Sequence, residues 1–232
     1  MRYLQLDFIR GIAIILMVVF HISFDLNNFH FINIDIYNKE GLFWFHFRMI
    51  ILTLFITSVG ISLSLVHQNY INYQKVWKRF ITLFGASTLI TLATIITFPH
   101  SWIYFGVLHF ITLSSILAIP FLRFKYLSLF LGTTIVILFN LHLINTNFIY
   151  QFTKPLLNLP TYTEDLVSFT PWFGVILIGI FIGKTKLFLF PIQKNKITKN
   201  IAFLGKHSLF IYLAHQPIFF GSIQGLYYLL NN

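Results

Sequence analysis

Apolar residues along this chain run in blocks of about 20, each long enough to cross a bilayer, and the polar and charged residues gather between them. The blocks begin near Leu6, Phe43, Phe80, Trp102, Tyr126, Pro171 and Gly205. This pattern predicts an all-α protein, a polytopic membrane helical bundle of about seven transmembrane helices. Pro99-His100-Ser101 separates the third block from the fourth and predicts a tight turn joining a helical hairpin. The stretch from about Asn145 to Thr170 contains Pro155 and Pro160. It reads as a loop or short re-entrant piece lying over the bundle, and a re-entrant helix or a lid fits there equally. Trp44, Trp77, Trp102 and Trp172 fall at predicted span ends, where an indole ring prefers the interface. No internal repeat, low-complexity tract or Gly/Ser-rich linker interrupts the pattern, so a single domain over 1–232 is the simplest organisation.

Composition agrees with this and narrows it. Of 232 residues, 57% are hydrophobic and only 9% charged, which excludes an ordinary soluble domain and makes the lipid bilayer the first partner. A formal charge of +10 would point to nucleic acid in a soluble protein. Here the basic residues lie in alternate connections: Lys75, Lys78 and Arg79 in one, Arg123 and Lys125 in another, Lys184, Lys186, Lys194, Lys196 and Lys199 in a third. Topology therefore accounts for the charge, giving a cytoplasmic N-terminus, an external C-terminus and no nucleic-acid partner. The absence of cysteine excludes disulfides, thiolate nucleophiles and Cys-ligated metals. An arginine interrupts the first block and no small-residue cleavage site follows it, so it reads as a retained span.

That first block holds the densest chemistry. Asp7, Arg10, His21 and Asp25 sit in LQLDFIRGIAIILMVVFHISFDL, and ionisable groups in a span are costly enough to mark a functional site. At about 100° per residue, with Asp7 at zero, Arg10 lies about 60° and His21 about 40° away, and Asp25 returns near zero. One polar seam runs down the helix. Pairing of Asp7 with Arg10 leaves no uncompensated charge there, while Arg10 also suits a phosphate or carboxylate. His21, about 16 Å further along, suits a base or nucleophile, and Asp25 suits orienting its imidazole. The bland alternative is a pair of end-capping charges and a histidine that satisfies a helix contact.

L-D-x-x-R-G, with a histidine eleven positions after the arginine and then F-D-L, resembles the opening of the bacterial membrane proteins similar to heparan-alpha-glucosaminide N-acetyltransferase. The resemblance continues through FITSVGISLSL (Phe55–Leu65), FGVLHF (Phe105–Phe110), Asp165 with Pro171-Trp172-Phe173-Gly174, and GKHSLFIYLAHQP (Gly205–Pro217). The Arg-to-His spacing is also similar to that of the membrane O-acyltransferases that decorate bacterial surface polysaccharides. The resemblance implies a membrane acyltransferase that carries an acetyl or other small acyl group from cytoplasmic acyl-CoA to an external sugar amine or hydroxyl. It implies acetyl-CoA as donor, a carbohydrate or glycolipid acceptor, and the cytoplasmic membrane of a bacterium or archaeon. Leu166 and Ser168 depart from the family pattern, where an aromatic residue and a proline stand, which weakens the transfer of the acceptor site.

On this reading His21, Asp25 and His109 are the catalytic candidates: base or acyl carrier, its orienting carboxylate, and an assistant for the acceptor proton. Arg10 and Asp7 are the coenzyme-side candidates. Arg48, Asp165, Trp172 and His215 are the substrate-side candidates. Helical rise places His109 about 10 Å from the external end of its span and His215 near the midplane, although either can simply bond across helices. Arg48 lies at the outer end of the second block, where snorkelling also explains it. Gln216 before Pro217 frees a carbonyl, as polar lining or as a kink. His67, His100, His142 and His207 fall at predicted ends or loops and are expected to be solvated. No ligand spacing for a metal is present. The competing classes are a non-enzymatic transporter or proton pathway using the same seam, and a scaffold whose polar groups only lock helices. Acceptor identity, acyl length, direct transfer against an acyl-histidine, and oligomeric state stay open, though Gly60, Ser62 and Ser64 permit close helix contact.

Overall fold

The computed structural model describes residues 3–36, 42–144 and 147–231. Among them the chain is all-α, apart from one isolated parallel bridge between Phe105 and Leu166. The helices are α1 (Leu4–Asn28), α2 (Leu42–Val66), α3 (Tyr73–Thr97), α4 (Val107–Leu117), α5 (Lys125–Asn140), α6 (Asn147–Leu157), α7 (Phe169–Thr185), α8 (Lys196–Lys206) and α9 (Ser208–Asn231). A short 3-10 turn, Ile119–Arg123, joins α4 to α5. By length and composition α1, α2 and α3 can cross a membrane, and α4, α5 and α7 are shorter apolar helices, so the chain is that of an integral membrane protein.

Several boundaries differ from the sequence pattern. The fourth block becomes helical only at Val107. Thr91 Oγ1 donates to the Ile103 carbonyl (2.8 Å) and the Ile103 N–H donates to Thr94 Oγ1 (3.0 Å), which ties that stretch to α3 as an extended strap. The Pro99-His100-Ser101 turn is present, with Ser101 N–H on the Phe98 carbonyl at 3.0 Å, but the whole connection runs from 98 to 106. The last block, expected from Gly205, is helical as α9 from Ser208, the basic connection before it holds the helix α8, and the Asn145–Thr170 stretch contains the helix α6. Trp172, expected at an interface, is 7% exposed, because the turn that carries it packs its backbone inward through Gly174.

The chain divides into two compact units, 1–55 with 188–232, and 56–187, and α2 runs from the first into the second. In the first unit α1 and α8 approach backbone to backbone. A Cβ on Gly11 would strike the Ile201 carbonyl, and one on Gly205 would strike the Asp7 carbonyl. The small residues are what allow that spacing. The Asn195 side chain caps α8, accepting from the Thr198 N–H (2.8 Å) and hydroxyl (2.9 Å). Thr198, Ala202 and Gly205 face inward, and Lys196, Lys199 and Lys206 are exposed. Ile14, Met17 and Ile51 form the core, with Phe20, Phe47, Phe55, Ile211 and Tyr212 packed on it.

The second unit repeats the device. Gly132 of α5 and Gly174 of α7 meet so closely that a Cβ on either would lie 2.7 Å from the other's carbonyl oxygen. Gly60 of α2 meets Gly179 of α7, and Gly183 sits against Ser64. Ile56, Ile61, Phe110, Leu122, Ile176, Leu177 and Ile180 are almost fully buried around these contacts. The small residues of FITSVGISLSL therefore do place a helix contact, between α2 and α7. His67 corrects the expectation of a solvated ring. It is 4% exposed, because the chain folds back past α2 and the Asn72 N–H donates to its Nδ1 (3.2 Å).

Candidate functional site

In the first unit the C-terminal half of α1, which carries His21 and Asp25, meets α9. The His21 and His215 rings lie 4.8 Å apart between centroids and are inclined at 60°. Phe20 packs edge-on against His21 at 5.6 Å, and is itself wedged by Trp44 and Phe47, which limits the ring's freedom. His21 has no hydrogen-bond partner among the described residues. His215 does, and the partner decides its chemistry. Its Nδ1 lies 2.7 Å from the Tyr212 carbonyl, which can only accept, so Nδ1 carries the proton and Nε2 of the neutral ring is a lone-pair acceptor. That Nε2 is buried and makes no hydrogen bond among the described residues.

Asp25 is fully buried, at 0% exposure. Its Oδ1 accepts from Gln216 Nε2 at 2.9 Å, a bond that joins residues 191 apart in sequence, while Asp25 Oδ2 and Gln216 Oε1 have no hydrogen-bond partner among the described residues. In place of the expected orienting bond from Asp25 to His21, Asp25 is linked to α9 through Gln216, the residue that follows His215. Arg48 of α2 is half-buried and its charge is felt at the His21 ring. At the other end of α1, Arg10 Nη1 lies 3.9 Å from Asp7 Oδ1, the pairing expected from their spacing, and both residues take part in further interactions.

The second unit, by itself, places His109, Asp165 and Trp172. His109 stands in the first turn of α4. The Gly106 N–H donates to its Nδ1 (3.2 Å), so Nε2 holds the proton and donates to Thr91 Oγ1 (3.0 Å), whose hydroxyl passes on to the Ile103 carbonyl. Both ring nitrogens are committed to starting the helix. Asp165 Oδ2 accepts from the Val107 N–H at 2.9 Å, a carboxylate at a helix N-terminus where the dipole favours it. Ser101 Oγ donates to Glu164 Oε1 (2.5 Å), and Val167 N–H donates to the Phe105 carbonyl (3.2 Å), so residues 101–107 and 163–167 are zipped together. Beside them Tyr104 stacks on Tyr150 at 5.9 Å, and burial together with that neighbour raises the Tyr104 phenol above its ordinary value.

Thr91 and Tyr212 carry no signal in the sequence that singles them out. Gln216 does, through the proline that follows it. No group of three or more His, Asp or Glu side chains converges as a metal site among the described residues. No curated protein and no solved structure matches the chain. A family model does, over residues 2–217, a span that includes α1 with its seam and α9 as far as Pro217. That model is described as heparan-alpha-glucosaminide N-acetyltransferase, catalytic, and the chain belongs to this family of membrane acyltransferases.

Proposed function

We propose that this protein transfers an acetyl or other small acyl group from cytoplasmic acyl-CoA to an external sugar amine or hydroxyl. The observation that carries the proposal is the pair of imidazoles, His21 and His215, 4.8 Å apart beside a fully buried carboxylate, inside a chain of the acetyltransferase family. The His215 Nε2, buried and without a hydrogen bond among the described residues, is placed to take a proton. His21 serves as the base or as the transient acyl carrier. His215 lines the acceptor side, with Nε2 turned to the reacting groups. Asp25, held by Gln216, stabilises positive charge as it develops on the rings.

In the direct form, the acceptor nitrogen or oxygen attacks the thioester carbon, its proton passes to imidazole, the C–S bond breaks, and the thiolate leaves and is reprotonated. In the carrier form, a His21 nitrogen attacks the thioester carbon, the C–S bond breaks, and the thiolate leaves and is protonated. The acceptor then attacks the acyl carbon, the bond to the His21 nitrogen breaks, and the acceptor's proton passes to imidazole. Arg10, tied to Asp7, stands at the coenzyme end. Arg48 belongs to the acceptor side, and His109 acts by holding the start of α4. The seven-block pattern and the alternate basic connections favour about seven crossings with the N-terminus cytoplasmic and the C-terminus external, in a bacterial or archaeal cytoplasmic membrane.

The test uses the purified chain in vesicles with labelled acetyl-CoA and glucosamine as the probe acceptor. His21→Ala is expected to lower transfer by about 10²-fold or more while the thermal unfolding profile is retained. Transfer by the variant at the wild-type rate would remove His21 from the chemistry.

A further inference from the structure

Where α2 ends, α3 begins and α7 ends, the second unit concentrates positive charge around a buried ring. His67 is 4% exposed. Because its Nδ1 accepts from the Asn72 N–H, the proton of the neutral ring is on Nε2, which has no hydrogen-bond partner among the described residues. Arg79 and Lys75 of α3 and Lys184 of α7 all bear electrostatically on this ring. Lys184 Nζ reaches the Gln68 carbonyl at 3.4 Å, which fixes its head group over the same turn. Asn72 also caps α3, accepting from the Lys75 N–H at 3.0 Å.

The sign of every nearby contribution is the same. The first turn of α3 contains Lys75 and no acidic residue, so a helix end whose dipole favours anions is surrounded by cations. The six acidic residues of the whole sequence are Asp7, Asp25, Asp35, Glu40, Glu164 and Asp165, so none lies between positions 41 and 163. Within the second unit the two carboxylates, Glu164 and Asp165, are engaged at Ser101 and Val107. Like charges held together at a half-buried site repel, and a bound anion relieves that repulsion.

We propose that His67 Nε2–H, Arg79, Lys75 and Lys184, at the N-terminus of α3, form a binding site for a phosphate group. An Arg fork, two ammonium groups and a ring N–H supply donors of the kind that phosphate oxygens accept. The phosphate comes from a soluble nucleotide or from a lipid head group. The nucleotide source rests on the proposed use of acyl-CoA, whereas the lipid source does not. Burial and the three cations hold His67 below its ordinary value, the response of a ring that lacks a negative neighbour.

The test measures binding of 3′,5′-ADP to the purified full chain, wild type against Lys75→Gln/Lys184→Gln and the charge-retaining Lys75→Arg/Lys184→Arg. In parallel, thermal stability is compared in phosphatidylcholine nanodiscs with and without phosphatidylglycerol. Binding of 3′,5′-ADP that weakens about tenfold or more in the Gln pair and survives in the Arg pair supports the site and identifies a nucleotide source. Absence of nucleotide binding, with stabilisation by phosphatidylglycerol that the Gln pair alone loses, supports the site with a lipid source. The same response in all three proteins, or no response to either probe, overturns it. Neither probe needs His21 or an acceptor, so a His21→Ala protein that still binds separates failure of the acyltransfer reading from failure of this site.

Discussion

Gln216→Leu removes the donor that Asp25 depends on. Asp25 is 0% exposed, its Oδ2 has no hydrogen-bond partner among the described residues, and its Oδ1 is held by Gln216 at 2.9 Å. The variant therefore leaves a buried carboxyl with neither oxygen hydrogen-bonded among the described residues. A hydrogen bond to a charged group contributes about 1.5–3 kcal/mol in soluble proteins, while interhelical bonds in membranes average about 0.6 and reach about 1.7 kcal/mol. Full burial and the lack of a second donor put this bond at the upper end of the membrane range, so we expect a coupling of about 1.5 kcal/mol between positions 25 and 216. The cycle is Gln216→Leu, Asp25→Leu and the double variant, with unfolding followed in detergent. Each single change strands one polar partner. The double change removes both and is expected to cost less than the sum of the two. A double variant that matches the sum within about 0.3 kcal/mol would refute the link.

Gly11→Ala and Gly205→Ala each drive a methyl group into a backbone carbonyl of the facing helix, and backbone cannot swing aside as a flexible side chain does. Each is expected to cost about 1–3 kcal/mol. Gly85→Ala and Gly221→Ala, with nothing within 4 Å of the added Cβ, should hold or raise the melting temperature, as expected for helix-interior glycines. Equal behaviour of the two pairs would contradict the close α1–α8 contact. For His67, the folded-state value lies below the ordinary 6.5, so as pH falls through 6.5 the unfolded chain takes up the proton first. Its contribution to stability is therefore full above that pH and is lost progressively below it. His67→Gln should flatten the fall in melting temperature between about pH 7 and pH 5, and an unchanged slope would count against the buried neutral ring.

Periodicity made part of the site legible. The i, i+3 spacing of Asp7 and Arg10 gave their pairing, and the common face of His21 and Asp25 gave the stripe that meets α9. What lay across that stripe was not legible, because a contact between residues 25 and 216 leaves no trace in local spacing. The sequence flagged Gln216 only through the proline beside it. The helix α8 lies in what the sequence presents as a basic connection, and Gly205, read as the start of a span, is instead the point where α8 touches α1. His67 and Trp172 failed for one shared reason. Position at the end of an apolar block predicts exposure only where the backbone does not turn back or press inward, and at these two positions it does. The opening of the fourth block was delayed to Val107 by hydroxyls of Thr91 and Thr94, residues that an apolar span also tolerates.

The contrast between His215 and His109 shows why residue type alone could not assign their roles. Both were candidates of similar standing in the sequence, and both hydrogen-bond through Nδ1. At His109 the Nδ1 accepts a backbone N–H, so the proton is forced onto Nε2 and spent on Thr91. At His215 the Nδ1 donates to a backbone carbonyl, so the proton is spent there and Nε2 stays open. The neutral His109 ring has no lone pair left to offer unless the start of α4 comes apart. His215 can accept a proton with its anchoring bond intact, and that bond strengthens once the ring is charged, since the donor is then a cation. The direction of one backbone hydrogen bond thus separates a ring with both nitrogens bonded from a ring with one nitrogen open among the described residues. It also places the open nitrogen on the helix that Gln216 ties to Asp25, in a ring whose centroid lies 4.8 Å from that of His21.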